Sequence, residues 1–85
     1  MLAMKAITYT RAAIRSLKRM PANESARVVA KIELYAQDPA ALANNVKALK
    51  GCDGIRLRVG DWRVIMEDGI VLAVLEIGAR GSVYD

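Results

Sequence analysis

The chain contains no histidine and a single cysteine, Cys52, among its 85 residues. The missing histidine excludes the Ser/His and Cys/His catalytic arrangements, His-ligated zinc, and the imidazole acid/base on which many ribonucleases depend. One thiol cannot form an internal disulfide. Cys52 therefore reads as a small buried hydrophobe or an inert surface thiol, since nothing resembling an activating imidazole exists to make it a nucleophile. Long hydrophobic runs are absent too. No stretch approaches the roughly 18 apolar residues of a membrane span, and the opening MLAMKAITYT has neither the apolar core nor the cleavage site of a signal peptide. The expectation is a cytoplasmic protein with no membrane contact.

Eighty-five residues suffice for one domain, here taken as 1–85, that buries roughly 60% of the surface of its unfolded chain and needs no metal or disulfide to fold. Net charge is +4, with seven basic and three acidic residues before Asn45 and six of each after it. That excess favours a polyanion or an acidic protein as partner without choosing between them.

Turn and cap signals divide the chain. Lys5 to Tyr9 is a short β-type run, and Thr10 is placed to cap a helix over Arg11 to Arg19, with Ala13, Ile14 and Leu17 as its apolar stripe. Met20-Pro21 ends it. A second helix starts around Ala22 to Glu24 and runs to about Gln37, with Val28, Val29, Ile32, Tyr35 and Ala36 at helical spacing and Asp38-Pro39 as its stop. From Pro39 to Asp53 the pattern predicts an irregular connection or one more short helical turn, anchored by Leu42, Val46 and Leu49.

The most telling stretch is IRLRVGDWRVIMEDGIVLAVLEIGARGSVY, Ile55 to Tyr84. A two-residue loop at Gly60-Asp61 sets Val59 opposite Trp62, Arg58 opposite Arg63, Leu57 opposite Val64, Arg56 opposite Ile65 and Ile55 opposite Met66. Strand side chains alternate. One face is then wholly apolar, while the other carries Arg56, Arg58 and Arg63. Two arginines directly opposite each other repel, which points to an anion held between them, phosphate foremost because the guanidinium fork matches it. Pairing of Arg58 or Arg63 with Glu67 or Glu76 is the plainer alternative. Asp68-Gly69 reads as a second two-residue turn, setting Glu67 opposite Ile70 and putting Val71, Ala73, Leu75 and Ile77 on the side of Trp62 and Val64.

The apolar side must pack on the helices. The expected fold is α+β: an N-terminal strand and helical hairpin on one face of a mainly antiparallel four-stranded sheet. The other face holds Ile65, Ile70, Leu72 and Val74 beside the arginines, a patch large enough to expect a protein partner over it, unless the 39–53 connection or the C-terminus folds across.

The string LKG at Leu49 to Gly51, then IRLRVGDWRVIME, then VLEIGARGSVY, resembles the RelE/ParE superfamily of type II toxin–antitoxin toxins over nearly the whole chain. The hairpin RLRVGDWRV and the ending IG-x-R-x-x-VY are its most specific parts. The resemblance implies a RelE-like, microbial ribonuclease-like sheet with an N-terminal helical hairpin. It also implies a function: RelE-type members cleave mRNA in the ribosomal decoding site, whereas ParE-type members inhibit DNA gyrase. By similarity Arg56 and Arg63 fall on strand positions of catalytic basic residues, Arg80 on the arginine after the IG turn, and Tyr84 on the terminal tyrosine. Lys50 and Arg58 join them as RNA-binding residues, and Tyr84 either stacks on a base or seals the core edge.

The implied partners are a cognate antitoxin, covering Ile65, Ile70, Leu72 and Val74, and mRNA on the ribosome, with DNA gyrase as the alternative. Guanidinium groups stabilise the charge that grows when a 2′-hydroxyl attacks phosphate, but they are poor bases. Neither metal nor cofactor is expected. Ala79 stands where relatives often carry histidine or another polar residue, and Gly54 where the best-known nucleases carry a second catalytic lysine. Both departures remove proton-transfer groups, so gyrase inhibition and a non-catalytic antitoxin-binding module stay open.

Overall fold

A computed structural model describes residues 5–49 and 54–79. Strand β1 (Ile7–Tyr9) leads into helices α1 (Arg11–Arg19) and α2 (Ala22–Gln37), a 3₁₀ segment (Pro39–Asn45), and strands β2 (Val46–Ala48), β3 (Gly54–Val59), β4 (Trp62–Asp68) and β5 (Leu72–Ala79). The strands form one five-stranded sheet in the order β1-β5-β4-β3-β2, parallel only between β1 and β5. The α+β expectation holds. The extra strand is β2, hidden in the stretch read as irregular: three residues have too little pattern to announce a strand, and its pairing with β3 is what makes it one.

Local chemistry places the helices. Thr10 caps α1 by accepting from the Ala13 backbone N–H at 3.1 Å, and Lys18 and Arg19 sit in the last turn, where the carbonyl end of the helix favours cations. Helix α2 opens with Glu24 in its first turn, and the Glu24 carboxylate accepts from Trp62 Nε1 at 3.0 Å, joining α2 to β4. Ala13, Val28, Ile32 and Tyr35 face a sheet surface of Leu57, Val59, Val64, Met66, Leu72, Val74 and Ile77, and these form the core. Ile14 departs from the expected stripe, being 42% exposed. At the sheet's far end Asp68 accepts from Lys5 Nζ, and from the Tyr35 hydroxyl at 3.5 Å, so one carboxylate ties β4 to the chain before β1 and to α2. Burial first, and then this carboxylate, push the Tyr35 phenol up from its ordinary value.

The β3–β4 hairpin has all five expected pairs. The β4–β5 hairpin does not have the expected register. Its loop comprises Gly69, Ile70 and Val71, closed by Gly69 N–H to the Val71 carbonyl at 3.1 Å, so Asp68 faces Leu72 and Glu67 faces Ala73. Leu72 and Val74, not Val71 and Ala73, therefore turn to the core. A β-bulge then inserts Leu75, since Met66 pairs with Val74 but Ile65 with Glu76, and this resets the alternation so that Ile77 also points inward. Thr10 holds the bulge, donating its hydroxyl to the Leu75 carbonyl and its backbone N–H to Val74 at 3.0 Å.

The expected aliphatic patch falls with that register. Leu72 and Val74 are 0% exposed in the core and Ile65 is 3% exposed, while Ile70 alone, at 98%, stands in water at the loop tip. The four residues form no common outer surface.

Candidate functional site

The sheet face turned away from the helices carries the basic residues, and register fixes their neighbours. One row runs Lys47–Arg56–Ile65–Glu76 and the next runs Arg58–Arg63–Gly78. Asn45 immediately precedes the Val46↔Leu57 pair, so it lies at the β2 end of the Arg58 row. Alternation makes this face: the same strands that send Leu57 and Val64 inward send Arg58 and Arg63 outward.

Arg58 and Arg63 differ in what holds them. Arg58 is exposed and makes no hydrogen bond or ion pair within the described residues; pairing with Glu67 or Glu76 is not formed. Arg63 is only 9% exposed, and its Nη1 donates to the Gly60 carbonyl at 3.4 Å and the Trp62 carbonyl at 3.3 Å. These bonds give Arg63 a structural task that the pattern of faces did not show. They close the Gly60-Asp61 turn from beneath. Gly60 has φ +59°, a conformation unfavourable for residues with a Cβ, and the Arg27 guanidinium lies across it so closely that a Cβ there would be 2.5 Å from Nη2. A third arginine, from α2, thus borders the same turn.

Two open cavities lie on this face. The larger, about 520 Å³, is lined by Asn45, Arg58, Gly60, Asp61 and Arg63. The smaller, about 260 Å³, is lined by Asn44, Asn45, Val46, Lys47, Arg56 and Arg58. Arg58 and Asn45 belong to both. The structure therefore brings together three of the residues singled out from sequence, Arg56, Arg58 and Arg63. Lys50, Arg80 and Tyr84 lie outside the described residues. Sequence reasoning missed Lys47, Asn45 and Arg27. Lys47 was accessible in principle, because Val46, Lys47 and Ala48 alternate in the same sense as the hairpin beside them; Arg27 required knowing which helix crosses the turn.

Chemically, the face offers several fixed positive charges around a cavity with polar walls, an arrangement suited to a phosphate-bearing ligand. Tyr9, whose phenol is pushed up by burial and then by the Glu33 carboxylate, belongs to the helix-covered side and takes no part.

No protein-family model and no curated protein matches the chain. Solved structures do. The RelE–RelB complex of Pyrococcus horikoshii contains a chain 22% identical, with a TM-score of 0.80 over 95% of this chain and 100% of that one. A RelB–RelE complex from Methanococcus jannaschii gives 23% identity and a TM-score of 0.72 over 92% and 95%. The isolated RelE toxin of E. coli gives 14% identity and a TM-score of 0.74 over 92% and 85%. Agreement over essentially whole chains at such low identity is agreement of backbone, and it bears out the resemblance read in the hairpin sequence: this chain has the fold of the RelE toxins.

Proposed function

We propose that the protein is the toxin of a type II toxin–antitoxin pair and acts as an endoribonuclease on mRNA held in the ribosome. The observation that carries this reading is the opposed pair Arg58 and Arg63 at the wall of an open cavity, in a fold shared with RelE toxins. Like charges at directly opposed strand positions are destabilising. An anion between them reverses the sign of that effect.

In this mechanism a backbone phosphate of single-stranded RNA sits against the arginine face. Arg63, fixed by the Gly60 and Trp62 carbonyls, presents preorganised charge to the phosphate as negative charge grows on its oxygens, and Arg58 closes on it from the neighbouring strand. Arg56 and Lys47, one row along the strands, track the next phosphate. Arg80 and Tyr84 complete the set as assistant to the leaving oxygen and as stacking platform. None of the arginines is a competent base. The protein by itself is thus a weak nuclease, and the ribosome supplies alignment of the 2′-hydroxyl with the scissile bond. Because P. horikoshii and M. jannaschii RelE are each solved with RelB, a cognate antitoxin is the proposed protein partner.

Induction of the protein in growing cells, followed by mapping of mRNA 5′ ends, tests the assignment. New ends confined to translated regions and in phase with codons are expected. Intact messages together with loss of supercoiling activity would instead identify a gyrase inhibitor.

A further inference from the structure

Arginines on this face fix where a phosphate lies, but contacts to phosphate carry no base information. Discrimination needs hydrogen-bonding groups held in a fixed position toward a base edge. Asn45 has that chemistry. It is half-buried at the junction of the 3₁₀ segment and β2, so both elements constrain its backbone, and it lines the two cavities together with Arg58. Its carboxamide makes no hydrogen bond among the described residues. Asp61, in the turn at the wall of the larger cavity, adds a carboxylate that can only accept.

We propose, building on the RNA-cleaving assignment above, that the larger cavity receives the base adjoining the clamped phosphate and that Asn45 makes adenine the preferred base. A carboxamide pairs with adenine through two bonds, its oxygen accepting from the exocyclic amino group and its nitrogen donating to N7. Unpaired RNA bases expose these edges. Asp61 acts in the same sense, since a carboxylate welcomes an exocyclic amino group and repels the carbonyl oxygen that uracil presents at the corresponding position. The arginines supply affinity, and Asn45 with Asp61 supply choice.

Fluorescence anisotropy of the full chain with labelled hexa-adenylate and hexa-uridylate RNA, at one fixed salt concentration, separates these roles. Wild type is expected to favour hexa-adenylate by at least about fivefold. Asn45→Ala should lower the ratio to the part that Asp61 alone sustains, with unchanged thermal unfolding. Arg58→Ala should weaken both oligomers alike and leave the ratio intact. An unaltered ratio in Asn45→Ala, with Arg58→Ala still weakening both, overturns the role of Asn45 while the arginine face stands. Absence of binding by wild type, or full binding by Arg58→Ala, overturns the RNA-binding face itself and the adenine preference with it.

Discussion

The two faces of the sheet share the same strands and have opposite physical characters. On the helix side Leu57, Val64, Met66, Leu72 and Val74 are all 0% exposed, and the row on β4 ends at Asp68, which accepts from Tyr35. On the other side the same strands present Lys47, Arg56, Arg58, Arg63, Glu67 and Glu76. A residue's parity along the strand therefore decides which face it joins, and on the outer face Ile65 is the buried aliphatic among charged neighbours. Leu57 and Arg58 are covalent neighbours with unrelated roles.

The sharpest test of that division is Leu72→Asp. A carboxylate at a fully buried position has no partner there, and the cost of desolvating it is comparable to the whole stability of a small domain, about 5 kcal/mol or more. The variant should fail to show a cooperative thermal transition by circular dichroism. A folded Leu72→Asp protein with wild-type melting would mean that β5 lies with its other side to the helices, and the assignment of faces would be lost.

Trp62→Ala comes next. The indole is half-buried against the core and donates to Glu24, so its removal leaves a gap beneath α2 and an unpaired carboxylate; a loss of about 3 kcal/mol is expected by chemical denaturation. Glu24→Gln, which keeps an acceptor for the indole, should lose far less. Equal losses in the two variants would show that the Glu24 charge rather than the buried ring carries the effect.

How much of this was legible in the sequence follows from how each register is fixed. In the first hairpin a two-residue loop with glycine at positive φ leaves a single way to pair the strands, and the faces follow. In the second, Asp68-Gly69 gave the same signal, but the actual loop is one residue longer and a bulge at Leu75 shifts the alternation again. Those features depend on contacts remote in sequence: Ile7 and Tyr9 pair with Leu72 and Val74, and Thr10 holds the bulge. Local pattern could not contain them. The site divides likewise. Arg56, Arg58 and Arg63 are readable from alternation, whereas Asn45 and Lys47 join them only because β2 pairs with β3.

Arg63→Ala probes a place where the outer face serves the fold. Its two bonds to the Gly60 and Trp62 carbonyls close the turn, and replacing it should cost about 1 kcal/mol, partly offset by relief of repulsion with Arg58. The variant should melt slightly lower than wild type and also lose toxicity on induction. Arg63→Lys should recover some stability and little activity, because an ammonium keeps the charge but lacks the planar fork that matches phosphate.

The smallest stability change belongs to Arg58→Ala. Arg58 is exposed and has no hydrogen bond or ion pair among the described residues, so truncation breaks none there, and it removes one member of a repelling pair. Stability should stay within about 0.5 kcal/mol of wild type or rise. In the proposed mechanism both guanidiniums meet the same phosphate, so toxicity should nonetheless fall as far as in Arg63→Ala. This pairing of outcomes gives the comparison of faces its strictest form: unchanged melting with lost growth arrest marks a residue kept for its ligand alone. If Arg58→Ala arrests growth as strongly as wild type, the opposed arginines bind nothing that matters to toxicity, and the functional face must be sought elsewhere on the molecule.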